Sequence, residues 1–149
     1  MKLALSSDHA GYPVKQHLVN YLRAKGHEVV DLGVDTEAVS VDYTDAAKRV
    51  GQAVIDGTAE RGILCCGSGV GASIAANKMN GVYCAITHDT YSAAQGVEHD
   101  NMNVMALGSK VIGVALAEKL ADAFIGAQFF TEPDRYMRRF KIVQEMENQ

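Results

Sequence analysis

Gly62-Ile63-Leu64-Cys65-Cys66-Gly67-Ser68-Gly69-Val70-Gly71 is an apolar run that stops abruptly in a glycine-rich turn. A short apolar segment bounded by glycines reads as a buried strand, and the residues beyond it, through Ile74 and Ala75, return to helical spacing. Strand, glycine loop and helix in that order form the repeating unit of a parallel α/β sheet. The rest of the chain repeats the unit. Leu3-Ala4-Leu5 predicts a first strand, polar Ser6-Ser7-Asp8-His9 a loop, and Val14, Leu18, Tyr21 and Leu22 one face of a helix closed by Gly26. Val29-Val30-Asp31-Leu32-Gly33 predicts a second strand. An acidic, irregular stretch from Asp35 to Asp42 then leads to a helix carrying Ala46, Ala47, Val50 and Val54.

Downstream, Val82-Tyr83-Cys84-Ala85-Ile86 predicts a fourth strand, residues 90–97 a short helix, and Asn103-Val104-Met105-Ala106-Leu107-Gly108 a fifth strand. A helix over Val111 to Phe124 follows. Pro133 is suited to open the last helix, with Tyr136, Phe140 and Val143 on a packing stripe beside Arg135, Arg138, Arg139 and Lys141. Five strands alternating with helices predict an α/β fold: an open five-stranded parallel sheet flanked by helices on both faces. The C-terminal helix, apolar on one face and basic on another, is placed to reach a neighbouring subunit. No repeat, low-complexity linker or second domain interrupts residues 1–149.

The composition sets limits on function. The 149 residues are 48% hydrophobic and 21% charged with two prolines, which excludes a disordered or collagen-like chain. Fourteen lysines and arginines against 18 acidic residues leave a charge of -4, without the positive field that tracks a nucleic-acid backbone. A small anion remains an admissible ligand. Cys65, Cys66 and Cys84 lack the spacing of a zinc site or disulfide framework, which points to a reduced, cytoplasmic setting. No apolar run approaches the length of a membrane span or a signal sequence.

Ligands of open α/β sheets bind beyond the C-terminal ends of strands. Three candidates are expected to converge there: Asp8-His9, Cys66 with Gly67 to Gly71, and the region around His99. The glycine loop suits backbone approach to an oxyanion or phosphate, or simply a tight turn. It follows G-x-G-x-G, not the dinucleotide G-x-G-x-x-G, and lacks the P-loop lysine. Cys66 reads equally as a reactive thiol or a packed one, whereas Cys65 points to the other side of the strand. His99, in polar Glu98-His99-Asp100-Asn101, is an acid-base candidate or a solvated turn residue. Asp8 and His9 are ligand contacts or turn residues, and Arg135 with Arg139 forms an anion clamp or a solvated face. His17 and His27 read as surface residues. Ser68 lacks the hydrolase G-x-S-x-G setting, and no ligand cluster suggests a metal.

Together these signatures resemble the ribose-5-phosphate isomerase type B family, which includes galactose-6-phosphate and allose-phosphate isomerases. The resemblance runs through Ser7-Asp8-His9-Ala10-Gly11, Asp42-Tyr43, Cys66-Gly67-Ser68-Gly69-Val70-Gly71, Ala75-Ala76-Asn77-Lys78 and His99-Asp100-Asn101-Met102-Asn103-Val104. It continues through Ala106-Leu107-Gly108-Ser109-Lys110 and Arg135-Tyr136-Met137-Arg138-Arg139, covering nearly the whole chain in order. It implies a Rossmann-like homodimer, sometimes paired into a tetramer, with active sites shared between subunits and no cofactor or metal. Carried to matching positions, Cys66 is the base moving a proton between C1 and C2, and His99 assists furanose opening. Asp8 and His9 line the sugar site, and Gly67, Ser68, Gly69, Val70 and Gly71 form the anion-stabilising loop. Arg135 and Arg139 fall at phosphate positions, with Asp100 and Lys110 also among the substrate contacts.

Several positions depart from the family pattern. Asp100 stands where asparagine is usual, Lys110 replaces an arginine without its bidentate fork, and Thr44, Ser68 and Tyr136 replace a common proline, threonine and histidine. The expected activity is interconversion of D-ribose 5-phosphate and D-ribulose 5-phosphate. Isomerisation of a six-carbon phosphate, noncatalytic sugar-phosphate binding and, more remotely, nucleotide binding are the competing expectations.

Overall fold

A computed structural model describes residues 1–149. Its five strands, β1 (Lys2–Ser7), β2 (Glu28–Asp31), β3 (Arg61–Cys66), β4 (Cys84–Ile86) and β5 (Val104–Gly108), form one sheet in the order β2-β1-β3-β5-β4. Every pairing is parallel. The helices are α1 (Tyr12–Ala24), α2 (Tyr43–Ile55), α3 (Val70–Ala76), α4 (Thr90–Asp100), α5 (Val114–Gly126) and α6 (Arg135–Met146). The Rossmann-like parallel α/β architecture expected from the alternating pattern is the one observed.

Period-two alternation divides the central strands between two cores. Leu3 and Leu5 of β1, Ile63 and Cys65 of β3, and Met105 and Leu107 of β5 join the layer containing α1, α4 and α5. Leu64 and Cys66, with Val104 and Ala106, meet α2 and α3 on the opposite face. Leu18, Leu120 and Phe124 are completely buried in the first core, each side chain contributing about 1.5–3 kcal/mol by leaving water. No helix is long and apolar enough to cross a membrane.

Lys15 was not distinguishable from a surface residue in the helical pattern. It is fully buried. Its ammonium donates to both Asp31 carboxylate oxygens at 3.0 Å and to the Val34 carbonyl at 2.8 Å. A long lysine stem fills apolar space while its head reaches a counter-charge, so this one side chain ties α1 to the end of β2 and to the irregular segment that follows. Tyr21, on the expected apolar face, is instead half-buried, and its hydroxyl donates to Asp122 at 2.7 Å.

Several element boundaries differ from expectation. β4 begins at Cys84 because Val82 is held in the preceding turn, its N–H donating to Met79 at 3.1 Å. The outer edge of β4 is occupied by Asn77, whose side chain pairs with the Cys84 N–H at 2.8 Å and carbonyl at 2.7 Å, taking up groups that an edge strand would leave unpaired. α4 runs on to Asp100 and ends where Asn101 turns left-handed at φ 54°, so His99 and Asp100 are helical. α5 starts at Val114 because Val111 and Ile112 both donate back to Gly108. On α6, Tyr136 and Phe140 are buried, but Val143 is exposed: the packing stripe is one turn shorter than predicted.

Candidate active site

β1 sends its connection to one face of the sheet and β3 sends its connection to the other, leaving a crevice at their C-terminal ends, where open α/β sheets place ligands. That crevice is a cavity of about 370 Å³ lined by Asp8 and Ala10 after β1, Cys66, Gly67, Ser68 and Gly71 after β3, and Lys110 after β5. Tyr43 and Val111 complete the wall. A larger depression of about 580 Å³ lies between Leu32, Arg49 and Met79. It holds no cysteine or histidine, so the smaller crevice is the chemical candidate.

The glycine loop shapes this crevice in two ways. Gly69 adopts φ 82° as the residue preceding α3, a conformation strained for side chains with a Cβ. The turn aims the Gly69 N–H at the Cys66 sulfur, 3.0 Å away, where a donor favours negative charge. Gly71 lies against the Tyr43 ring, and a Cβ there would stand 2.7 Å from Cζ; the missing side chain lets Tyr43 close one wall. The Val70 N–H donates to Ser68 Oγ at 3.2 Å. The amides of Gly69 and Val70 are therefore already engaged within the loop, so an oxyanion would draw on its other amides. Gly69, at the N-cap of α3, offers no side chain of its own, and beyond the Val70 N–H held by Ser68 the next first-turn amides, of Gly71 and Ala72, receive no side-chain cap.

Cys66 is 4% exposed and lines the crevice, so it is packed and also placed at the cavity wall. Cys65 faces the opposite core, where burial pushes its thiol pKa up. Cys84 is pushed up to about 12 by burial. Of the three cysteines, only Cys66 lines this cavity.

Asp8 is buried, and its Oδ1 accepts the Gly11 N–H at 2.9 Å. His9 leans toward the segment after β2, where Nδ1 accepts the Val41 N–H at 3.1 Å; a neutral ring in that bond carries its proton on Nε2. The stem of Lys110 lies near Gly67, placing a cation at the mouth. The Lys110 N–H also donates to the Gly67 carbonyl at 3.0 Å, joining the β3 and β5 loops.

The expected convergence of His99 with these groups does not occur within one chain. β3 and β5 are parallel, with Cys66 beside Gly108 and Gly62 beside Val104. A residue before β5 lies at the opposite end of the sheet from one after β3, and α4, returning antiparallel, delivers His99 there. The ring stacks on Tyr136 with centroids 4.4 Å apart and planes 23° apart, and lies 5.9 Å from Phe130. Gln95 Nε2 is 2.9 Å from His99 Nδ1, one turn earlier on α4. Arg135 joins this second cluster through Tyr136, with exposed Arg139 one turn further along α6. Asp100 lines a separate cavity of about 240 Å³ with Tyr83, Met102 and Val143.

Tyr43, Lys15 and Gln95 were absent from the sequence-based site. Tyr43 is itself part of the Asp42-Tyr43 motif, but no spacing signal marks a lysine that turns inward or a glutamine whose role depends on its histidine neighbour. No group of three His, Cys, Asp or Glu side chains is arranged to hold a metal ion.

The family model described as Ribose/Galactose Isomerase matches residues 3–143. Ribose-5-phosphate isomerase B of Escherichia coli is 39% identical over 146 residues, covering 98% of this chain and 96% of that protein. D-erythrulose-4-phosphate isomerase of Pectobacterium atrosepticum is 40% identical over 129 residues, covering 87% of this chain and 85% of its own. The structure of Clostridium thermocellum ribose-5-phosphate isomerase B superposes with a TM-score of 0.95 at 38% identity, covering 99% of this chain and 98% of that one. With a shared fold and matches along nearly its full length, the chain belongs to the ribose/galactose isomerase family of sugar-phosphate isomerases.

Proposed function

We propose that the protein interconverts D-ribose 5-phosphate and D-ribulose 5-phosphate through a cis-enediolate. The observation that carries this reading is the Cys66 sulfur, at the crevice and facing the Gly69 N–H at 3.0 Å. Similarity across almost the full length to ribose-5-phosphate isomerases B supports the substrate.

In the open-chain aldose, the Cys66 thiolate removes the C2 proton and the C1 carbonyl electrons move to O1. The negative oxygen is stabilised by unpaired loop amides and Lys110, a preorganised positive environment that strengthens as charge develops. Cys66 returns the proton to C1 while the O2 proton passes to O1, giving the ketose with no net change in atoms or electrons. Asp8, fixed by Gly11, holds sugar hydroxyls at the crevice wall.

His99 and the Arg135–Arg139 pair lie outside this crevice in their own chain. In the proposed homodimer they complete the partner's site, His99 assisting furanose opening and the arginines gripping phosphate. A panel of ribose 5-phosphate, allose 6-phosphate, galactose 6-phosphate and erythrulose 4-phosphate tests the reading. Fastest aldose-ketose conversion of ribose 5-phosphate, abolished in Cys66→Ala with folded content unchanged, is the expected result. Preference for another sugar overturns the substrate, and near-normal turnover by Cys66→Ala overturns the base.

A further inference from the structure

Tyr136 occupies the centre of the second cluster. It is 8% exposed, and its ring is used on two sides. One contact is the parallel stack with His99 at 4.4 Å. The other is Arg135, whose guanidinium carbon lies 4.7 Å from the ring centroid and whose Nη2 donates to the Tyr136 hydroxyl at 3.0 Å. Phe130 stands edge-on to Tyr136 at 6.0 Å and tilted to His99 at 5.9 Å, walling the group. One turn along α6, Phe140 packs edge-on against Tyr83 at 4.9 Å and Phe129 at 5.5 Å, so the helix beneath Tyr136 is anchored as well.

We infer that Tyr136 is a positioning residue that joins the phosphate-holding Arg135 to the imidazole of His99, so that gripping the phosphate and orienting the ring-opening group are one event. This rests on the proposed sugar-phosphate reading. An arginine on an exposed helix face is free to sample many rotamers, and ordering it costs conformational entropy. The hydroxyl bond and the cation–π contact remove much of that freedom before substrate arrives. The stack fixes the plane of an imidazole on a separate helix, and reacting groups must be held to fractions of an ångström. Binding energy from the phosphate, remote from the reacting carbons, is thereby available at the ring oxygen.

The two attachments are separable. Tyr136→Phe keeps the stack and loses the hydroxyl; Tyr136→Leu loses both. The Phe variant is expected to raise KM for ribose 5-phosphate, and Kd for inorganic phosphate, about threefold to tenfold by losing one hydrogen bond, with kcat within about twofold of the original. The Leu variant is expected to lower kcat on the cyclising substrate a further threefold to tenfold, roughly the worth of an aromatic pair. On an aldotetrose 4-phosphate, whose esterified O4 cannot close a furanose, its kcat should match that of the Phe variant. Equal losses on both substrates, or a Phe variant with unaltered phosphate binding, overturn the inference.

Inorganic phosphate provides a readout independent of turnover. Its addition should shift the His99 ring resonances in the wild-type protein and leave them unmoved in Tyr136→Leu. Equal shifts in both, or none in the wild type, overturn the link even if the protein isomerises no sugar. If Tyr136→Leu loses helix content, the KM-against-kcat split of Tyr136→Phe decides alone.

Discussion

His88 shows how one residue can tie protonation to the strand ends beside the site. Its Nε2 accepts the Gly108 N–H at 2.9 Å, so that nitrogen must be unprotonated. Burial holds the imidazole pKa below its ordinary value of 6.5, with nearby Asp89 opposing the shift. Below 6.5 an unfolded chain takes up a proton that the folded ring still refuses, so folding loses stability as pH falls through 6.5 toward the lowered folded value. Urea melts at intervals from pH 7.5 to 5 should show this decline. In His88→Gln, whose side chain cannot titrate, this component of the slope should vanish; an unchanged slope would assign the pH dependence elsewhere.

At the scale of elements, α1 is joined to β2 by an asymmetric ion pair. The Lys15 side chain is completely buried, whereas that of Asp31 is 26% exposed. Removing the carboxylate strands a charge that water cannot reach, whereas removing the lysine leaves a carboxylate that can hydrate. Asp31→Asn should therefore cost about 3–5 kcal/mol, the range for breaking a buried pair, and Lys15→Met distinctly less. Chemical denaturation of the two variants checks the order, and equal costs would mean that Lys15 reaches water when unpaired. The same contact holds Val34 at the start of the segment whose Val41 N–H meets His9, so α1 and the loop after β1 grip this segment at its two ends.

At the scale of the whole molecule, the separation of Cys66 from His99 has a consequence specific to the proposed shared site. Cys66→Ala and His99→Ala proteins should each be inactive on cyclic ribose 5-phosphate. If the sites are built across subunits, mixed dimers regain one intact site each. After unfolding and random reassociation, activity should recover to about a quarter of the wild-type value. No recovery in confirmed mixed dimers would require both groups to act from one chain, which their positions at opposite ends of the sheet oppose.

Much of this organisation was legible along the chain. Alternation in β3 separated Cys65 from Cys66, the break at Gly67 located the crevice, and the order of strands and helices determined a parallel α/β sheet, because these features depend on local geometry with periods of two and 3.6 residues. Position at the strand ends marked Asp8 and Cys66, and the family resemblance marked Lys110; the structure brings all three to one crevice. Tertiary structure alone decided what those local rules do not encode. It extended α4 through His99 and carried that residue to the far end of the sheet, turned Lys15 inward to Asp31, and stacked Tyr136 between His99 and Arg135. The direction in which each strand is traversed decides which loops can meet, and burial of a polar group depends on a partner distant in sequence, so neither is a property of the neighbouring residues.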